Sequence, residues 1–182
     1  LARDLSLGTC EVVPASADAS FRRYFRVTRP GAASLVVMDA PPDKEDVGPF
    51  LRITRMLESC SVHVPHVHEA DVARGLLLLE DLGSTHLLTC LGAGAAPGPL
   101  YDDALDALAL MQLRGNDAAM QLDPYDATVL RREMRLMPEW FCERHLGLAL
   151  DPSEQALLSA TEDFLIAEAL AQPQVFVHRD YH

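Results

Sequence analysis

One short motif in the sequence contains side chains that could act on a hydroxyl group: His178, Arg179 and Asp180. The apolar run "VFV" comes directly before them and is expected to form a strand that delivers them to its end. A carboxylate beside a hydroxyl can orient it and accept its proton while a phosphoryl group is transferred to the oxygen. In such a catalytic loop, an asparagine five residues after the aspartate binds magnesium. That position, and any later metal-binding aspartate, lies beyond residue 182.

So short a motif is a weak signal, because three residues in a given order also occur by chance. The same residues have a purely structural interpretation. Asp180 would then be a solvated residue, and His178 would form hydrogen bonds with the backbone of its loop. The elements that precede the motif must therefore decide between the two interpretations.

Residues 1–79 are predicted to form a small β-rich lobe with one helix. The stretches "TCEVV", "FRRYFRV" and "SLVVMDA" have strand character and short connections, which indicates an antiparallel sheet. "GPFLRITRMLESC" predicts a helix with Pro49 in its first turn and one buried face, formed by Phe50, Ile53 or Thr54, and Leu57. A turn between Ala70 and Gly75 then leads to a buried strand, Leu76 to Leu79.

Residues 80–83 are predicted to be a connector, and residues 84–182 an incomplete helical lobe that ends in the catalytic loop. Asp126 is a candidate helix N-cap, and Pro138 is suited to open the next helix, "PEWFCERHL". Asp151, Pro152 and Glu154 form a capping-box pattern before a long helix. Its expected apolar stripe consists of Ala156, Leu157, Ala160, Phe164 and Leu165. The fold class is therefore α+β, with a ligand expected in the crevice between two lobes.

The composition narrows the range of partners. With 27 acidic and 15 basic residues, the net charge of −12 argues against nucleic acid, whose binding requires a basic surface. No apolar run is long enough to predict a membrane span, and the first residues do not have the pattern expected of a signal peptide. The four cysteines are scattered, which is typical of reduced thiols and favours a cytoplasmic protein.

Six segments, in this order, resemble the aminoglycoside phosphotransferase and choline kinase-like family: "ADASFRRYFRV", "VVMDAPPDKED", "LLLLEDLG", "LYDDALDALALMQ", "EMRLMPEWF" and "VFVHRDYH". Within it they are most similar to the bacterial anomeric kinases of N-acetylmuramate and N-acetylglucosamine in cell-wall recycling. The resemblance covers nearly the whole chain. It implies a two-lobed protein kinase-like fold, ATP and Mg²⁺ as cofactors, and a small sugar as substrate.

The resemblance also implies roles for individual residues. Asp180 would be the catalytic base for the anomeric hydroxyl, and His178 would brace the loop. The segment "LLLLEDLG" would contain the hinge of the family, so that backbone groups of Glu80, Asp81 and Leu82 hold the adenine ring.

The segment "ASADASFRRY" would be the turn over the nucleotide phosphates. Ser16 and Ser20 can donate hydrogen bonds there, and Arg22 or Arg23 can add a guanidinium that binds phosphate oxygens. The alternative is that these arginines have no binding role. Side chains alternate between the two faces of a strand, and this alternation could simply turn the arginines toward solvent.

One departure concerns the lysine that relatives carry on the third strand, where it grips the phosphates and pairs with a glutamate. The matching positions are occupied by Met38 and Phe50, and an apolar contact between them can hold the helix to the sheet. Lys44 is the only lysine of the chain. Either Lys44 reaches in from the loop "PPDKED", or an arginine replaces the missing cation.

Two further patterns receive weaker interpretations. The alternating His63, His66 and His68 suggest a metal site, but they also match a helix-to-strand connection and lack a second ligand cluster. Trp140 could stack on a sugar, although core packing is the more common role for a single tryptophan.

The predicted function is ATP-dependent phosphorylation of the anomeric hydroxyl of an amino sugar. An aminoglycoside or other small-alcohol kinase is a second possibility, since a polycationic acceptor suits the negative charge. A non-catalytic nucleotide- or sugar-binding homologue is the third, since both members of the usual ion pair are missing. We expect the chain to be truncated within its helical lobe and to be inactive by itself.

Overall fold

The computed structural model describes residues 9–17 and 20–181. The strands within these ranges form one five-stranded sheet: β1 (Glu11–Ala17), β2 (Arg23–Thr28), β3 (Leu35–Asp39), β4 (Val67–Asp71) and β5 (Leu76–Glu80). The helices are α1 (Gly48–Ser59), α2 (Leu87–Gly92), α3 (Pro97–Arg114), α4 (Asn116–Ala119), α5 (Ala127–Met134), a π-helix (Met137–His145) and α6 (Pro152–Leu170). The predicted α+β class, with an antiparallel sheet first and helices after it, is confirmed.

The sheet is antiparallel throughout, with the strand order β1-β2-β3-β5-β4. α1 lies between β3 and β4 in sequence, and β5 lies between these two strands in the sheet, where its Leu77 is paired with Met38 of β3. The two edge strands carry the irregularities, between Pro14 and Ser16 in β1 and between Val67 and Glu69 in β4. Bulges at edges are common, because they interrupt the regular row of unpaired backbone groups.

Both faces of the sheet are covered by apolar side chains. One cluster joins Met38, Leu77 and Leu79 of the sheet to Val47 and Leu51. The other cluster, on Val27, Val37 and Leu78, includes the partly buried Cys10, Phe25 and Leu35. This explains why β5 is a continuous apolar run rather than an alternating one, since a strand covered on both faces has no solvent side.

Helix α1 begins where Pro49 predicts it, with the proline in its first turn. Leu51, Thr54 and Met56 are its buried residues, whereas Phe50, Ile53 and Leu57 are only partly buried. Thr54 was among the residues expected on the buried face. The face is rotated relative to the prediction because Leu51, rather than Phe50, enters the cluster formed by Met38 and Leu77.

The described residues divide into two compact units, one up to Gly115 and one from Asn116 onward. The sheet, α1, α2 and α3 belong to the first unit, and the remaining helices to the second. The boundary between lobes that the sequence predicts at residues 80–83 does not coincide with this division of the chain, and the predicted lobes stay a prediction.

The capping predictions in the second unit are correct. Asp126 accepts hydrogen bonds from the backbone N–H groups of Thr128 and Val129 at 2.9 and 3.1 Å. Asp151 caps α6, and Glu154 completes the capping box through the Asp151 N–H at 2.8 Å. Capping matters here because the first N–H groups of a helix have no partner within the helix.

Three expectations for the second unit are wrong. Residues 175–177 form no strand in the described part of the chain, and a strand needs a neighbour for its backbone hydrogen bonds. The expected apolar stripe of α6 is exposed, because α6 turns Glu162 and Ile166, on another face, inward. Trp140 is 54% exposed and lies in a π-helix, with the Arg144 guanidinium 4.0 Å from its ring centre.

Candidate active site

The predicted site residues fall into two groups, one in each compact unit. The first unit contains the connector after β5 and the turn before β2. The second unit contains the His-Arg-Asp loop.

The connector is held to β2 by an ion pair that the sequence did not predict. Arg26 donates to the two Asp81 carboxylate oxygens at 2.6 and 3.0 Å, and to the Gly83 carbonyl at 3.0 Å. The Gly83 N–H also donates to Asp81, at 2.9 Å. An ion pair in which a guanidinium donates to both oxygens of a carboxylate is strong and directional. The sequence contains one indication of this ion pair, because Arg26 is a basic residue between two apolar neighbours in its strand.

This network defines the electrostatics of the connector. The hydrogen bond from Arg26 lowers the pKa of Asp81 well below its usual range, with further contributions from Ser34 and from the Gly83 N–H. Because the Asp81 side chain is 4% exposed and already bonded to Arg26, its carboxylate serves the structure of the connector. This is compatible with the expectation that residues 80–82 bind a ligand through their backbone.

Glu80 and Leu82 differ in their surroundings. The Glu80 N–H donates to the His66 carbonyl at 2.8 Å, and the Glu80 side chain accepts from the His66 N–H at 3.2 Å. The second of these bonds lowers the pKa of Glu80. Leu82 follows the strand and is 57% exposed. The Glu80 N–H is therefore used within the sheet, whereas Leu82 offers an exposed apolar side chain beside the connector.

The turn before β2 brings several predicted residues together. The Ser20 hydroxyl accepts from both the backbone N–H and the Nε of Arg22, each at 3.1 Å. Arg23 instead forms an ion pair with Asp39 on β3. Of the other serine in this group, Ser16, only the backbone in β1 is described, and its side chain lies outside the described residues.

Lys44 contacts this turn from the loop after β3. Its Nζ lies 4.8 Å from the centre of the Phe21 ring, and the neighbouring Glu45 accepts a hydrogen bond from the Phe21 N–H at 3.1 Å. The ammonium group therefore lies beside the same turn that contains Ser20 and Arg22. The role of Lys44 as a replacement for the missing strand lysine stays a prediction.

The position of the missing lysine is occupied by a core residue. Met38 has no exposed surface, and Phe50 packs against the cluster that contains it. A buried ammonium at this position would lose its hydration, and Phe50, which the resemblance places at the position of the usual glutamate, offers it no carboxylate. The structure therefore has an apolar contact where the resemblance predicts an ion pair.

In the second unit, the His-Arg-Asp loop follows α6 through the buried Phe176. The rings of His178 and Tyr181 meet edge to face, with their centres 5.2 Å apart. Arg179 has a positive φ of 72°, a backbone conformation that residues other than glycine adopt rarely. Asp180 is exposed between these residues. The loop therefore combines a ring contact between His178 and Tyr181 with a left-handed backbone at Arg179, and the roles predicted for Asp180 and His178 stay predictions.

The histidines at residues 63–68 form ordinary polar contacts. His63 lies 3.5 Å from Glu80, His66 lies 3.6 Å from Glu58, and the His66 and His68 rings meet edge to face. Within residues 9–17 and 20–181, no three His, Cys, Asp or Glu side chains are grouped so that they could hold a metal ion.

Comparison with known proteins identifies the family. A model of the phosphotransferase enzyme family matches residues 11–182. The chain belongs to the phosphotransferase enzyme family.

Named relatives support the assignment to this family. The chain is 48% identical to an N-acetylmuramate/N-acetylglucosamine kinase of Pseudomonas aeruginosa, over 94% of this chain and 49% of that protein. A kinase of the same name from Pseudomonas putida is 48% identical over 92% of this chain and 48% of its own length. One from Neisseria meningitidis serogroup B is 40% identical, over 92% and 50%. The chain thus spans about half the length of these curated relatives.

In the part of the chain that the structure describes, no helix has both the length and the apolar character needed to cross a membrane.

Proposed function

We propose that the protein containing this chain is an ATP-dependent kinase that phosphorylates the anomeric hydroxyl of an amino sugar, N-acetylmuramate or N-acetylglucosamine, in the cytoplasm. The observation that carries the proposal is the match of residues 11–182 to the phosphotransferase enzyme family, and the exposed Asp180 in the turn where His178 contacts Tyr181 supports it. The names of relatives at 40–48% identity support the choice of acceptor.

Asp180 orients the sugar hydroxyl and takes its proton as the oxygen attacks the terminal phosphorus of ATP. The new bond joins that oxygen to phosphorus, and the bond from phosphorus to the bridging oxygen of ADP breaks. ADP leaves with the bonding electrons. The step needs no redox partner, and its rate depends on alignment of the hydroxyl with the phosphate.

The first unit binds the nucleotide in this proposal. Backbone groups of Asp81 and Leu82 face the adenine, with the Arg26 ion pair holding that backbone in place. Lys44 and Arg22 approach the phosphates, since both lie at the turn that contains Ser20. Arg23 contributes less, because Asp39 already balances its charge. Magnesium, when bound, would neutralise phosphate charge, and its ligands would come from outside the described residues.

Residues 1–182 alone are proposed to lack phosphotransfer. The chain spans only about half of its relatives, and the described side chains form no metal-binding group. ATP turnover by these residues alone, in the presence of sugar and Mg²⁺, would contradict this statement.

The test uses the protein at its full encoded length with ATP and MgCl₂. N-acetylmuramate, N-acetylglucosamine, kanamycin and choline are offered in turn, ADP release is followed, and the product is analysed by ³¹P NMR. We expect an anomeric phosphate signal with an amino sugar. Turnover with kanamycin or choline alone would favour the second class of kinase. Retained ATP or sugar binding without turnover would favour a non-catalytic homologue, the alternative that Met38 supports.

A further inference from the structure

Arg179, the middle residue of the motif, makes contacts that the proposed chemistry does not use. Its guanidinium forms an ion pair with Glu133 on α5 and lies 5.5 Å from the centre of the Tyr125 ring. The Tyr125 hydroxyl donates to the second oxygen of the same Glu133 carboxylate. One carboxylate therefore receives two side-chain donors, from Tyr125 and from the catalytic loop.

The electrostatics agree with a defined arrangement of the three groups. The hydrogen bond from Tyr125, together with the charge of Arg179, lowers the pKa of Glu133. The same hydrogen bond raises the pKa of Tyr125. Near neutral pH, Glu133 is therefore a carboxylate and Tyr125 keeps its proton, which is the state in which the Tyr125 hydroxyl donates to Glu133.

The support for Glu133 is itself built into the helices. Tyr125 directly precedes the N-cap of α5, and Glu133 lies near the end of that helix. α5 is joined to α6 by Arg131, which contacts Glu162 at 3.4 Å and Asp163 at 2.6 Å. The carboxylate that receives Arg179 is thus carried by a helix, α5, which is itself connected to α6.

We propose that Glu133 and Tyr125 anchor the Arg179 side chain and thereby orient the neighbouring Asp180 for catalysis. This inference rests on the proposed function. The left-handed backbone at Arg179 is the second support, because such a conformation in a non-glycine residue persists when its surroundings hold it. On one side, Arg179 ties the loop to α5, and on the other, His178 braces Tyr181. Arg179, Glu133 and Tyr125 are positioning residues, since they act through Asp180.

The variant Glu133→Gln tests the anchor in the full-length protein. The amide keeps the shape of the side chain but removes its charge and replaces one of the two accepting oxygens with an NH₂ donor, so the present geometry can serve only one of the two donors. Because a displacement of about 1 Å can cost about 100-fold in rate, we expect kcat to fall by about that factor. KM for ATP and for the sugar should change less than about twofold, since the variant alters the position of Asp180 rather than binding.

Further variants separate positioning from general folding. Tyr125→Phe should lower kcat less than Glu133→Gln, because it removes one of two donors. Arg179→Met should match Glu133→Gln, and Arg179→Lys should recover part of the loss, since it keeps a charged donor. The control is Glu143→Gln, an exposed glutamate on the π-helix, which should leave kcat unchanged. Circular dichroism shows whether each variant is folded.

Hydrogen exchange provides a readout that does not depend on activity. Amides of residues 177–181 should exchange at least about tenfold faster in Glu133→Gln than in Glu143→Gln, because the loop loses its anchor. If folded Glu133→Gln and Arg179→Met keep the wild-type kcat, the anchor is refuted while the proposed function stands. If the wild type transfers no phosphate to any acceptor, the proposed function fails, and the exchange rates alone decide whether the anchor exists.

Discussion

The two compact units differ in how much apolar surface they bury. In the first unit, Met38, Val37 and Leu77 have no exposed surface, and clusters cover both faces of the sheet. In the second unit, Leu157 and Phe164 of α6 are 69% and 62% exposed. Helix caps and ion pairs are the prominent contacts there, at Asp126, Asp151 and Arg131. The first unit therefore derives its stability from a core, and the second depends more on local polar contacts.

This difference also separates two kinds of contribution to function. The first unit offers a rigid sheet whose connector is tied down by Arg26 and Asp81. The second unit contains a loop whose Arg179 forms an ion pair with Glu133 at the surface, and we infer that this pair sets the geometry of the loop. Substitutions in the core should accordingly reduce stability, whereas substitutions near the loop should alter rate.

Leu77→Ala should have the largest effect on stability. Removing a fully buried leucine from the interior strand β5 is expected to lower the free energy of unfolding by about 3 kcal/mol, through lost burial and a cavity. Phe164→Ala is the matched substitution in the second unit and should change it by less than about 0.5 kcal/mol. Urea unfolding of the two variants measures both. Equal losses would refute the contrast between the units.

Gly75→Ala should lower the free energy of unfolding nearly as much as Leu77→Ala, because both the backbone conformation and the lack of space disfavour a side chain at Gly75. Gly75 has a φ of +68°, and an added Cβ would lie 1.8 Å from the Ala40 carbonyl oxygen. Strain and displacement together should cost about 3 kcal/mol. Gly31→Ala is the control, since its φ is +71° but its Cβ would meet nothing within 4 Å. It should cost only about 1 kcal/mol, and a similar loss in both variants would exclude the backbone clash as a cause.

Asp81→Asn should cost about 2 kcal/mol of unfolding free energy, because the charged acceptor of Arg26 is lost from a nearly buried position. The same variant, made in the full-length protein, also tests the connector. KM for ATP should rise by a larger factor than the factor by which kcat falls. An unchanged KM would show that this ion pair does not organise the nucleotide site.

The same ion pair predicts a pH dependence. Because Arg26 lowers the folded-state pKa of Asp81, its contribution is fully present above the unfolded carboxyl pKa of about 4 and is lost as the pH falls toward the folded value. The stability difference between wild type and Asp81→Asn should therefore shrink below about pH 4. Unfolding at pH 6 and at pH 3 provides the measurement, and a constant difference would contradict the assignment.

Asp151→Ala should have the smallest effect of the series. It removes the capping box of α6, including hydrogen bonds of 2.7 and 2.9 Å to the N–H groups of Ser153 and Glu154. Amides in the first turn of α6 should exchange faster, with a stability loss smaller than that of Asp81→Asn. Ser159→Ala, elsewhere on α6, serves as the control. Unchanged exchange in Asp151→Ala would mean that the cap does not hold the helix end.

The sequence predicts local structure well where a single residue type has a specific physical role. The caps at Asp126 and Asp151 and the buried run of β5 are examples, because capping geometry and two-sided burial both leave a local pattern. The exposed stripe of α6 was predicted incorrectly because periodicity identifies an apolar face without identifying what covers it. Arg26 and Glu133 were missed as partners because they contact residues 55 and 46 positions away.

The candidate site likewise contains features that the sequence predicts and contacts that it does not predict. The motif at residues 178–180 is visible in the sequence, and the contact of Lys44 with Phe21 agrees with a cation entering from that loop. The roles of Asp180, Lys44 and the connector backbone stay predictions, since they depend on a bound nucleotide and sugar. Long-range ion pairs, by contrast, become visible only when the chain is folded.

The most direct test of the account is the activity of Asp180→Asn in the full-length protein, with ATP, Mg²⁺ and N-acetylmuramate or N-acetylglucosamine. The asparagine keeps the size of the side chain but cannot take the proton of the hydroxyl. We expect kcat to fall by about 10²–10⁴-fold with little change in the KM for ATP. A folded Asp180→Asn variant that phosphorylates the sugar at the wild-type rate would contradict the central claim that this carboxylate is the catalytic base.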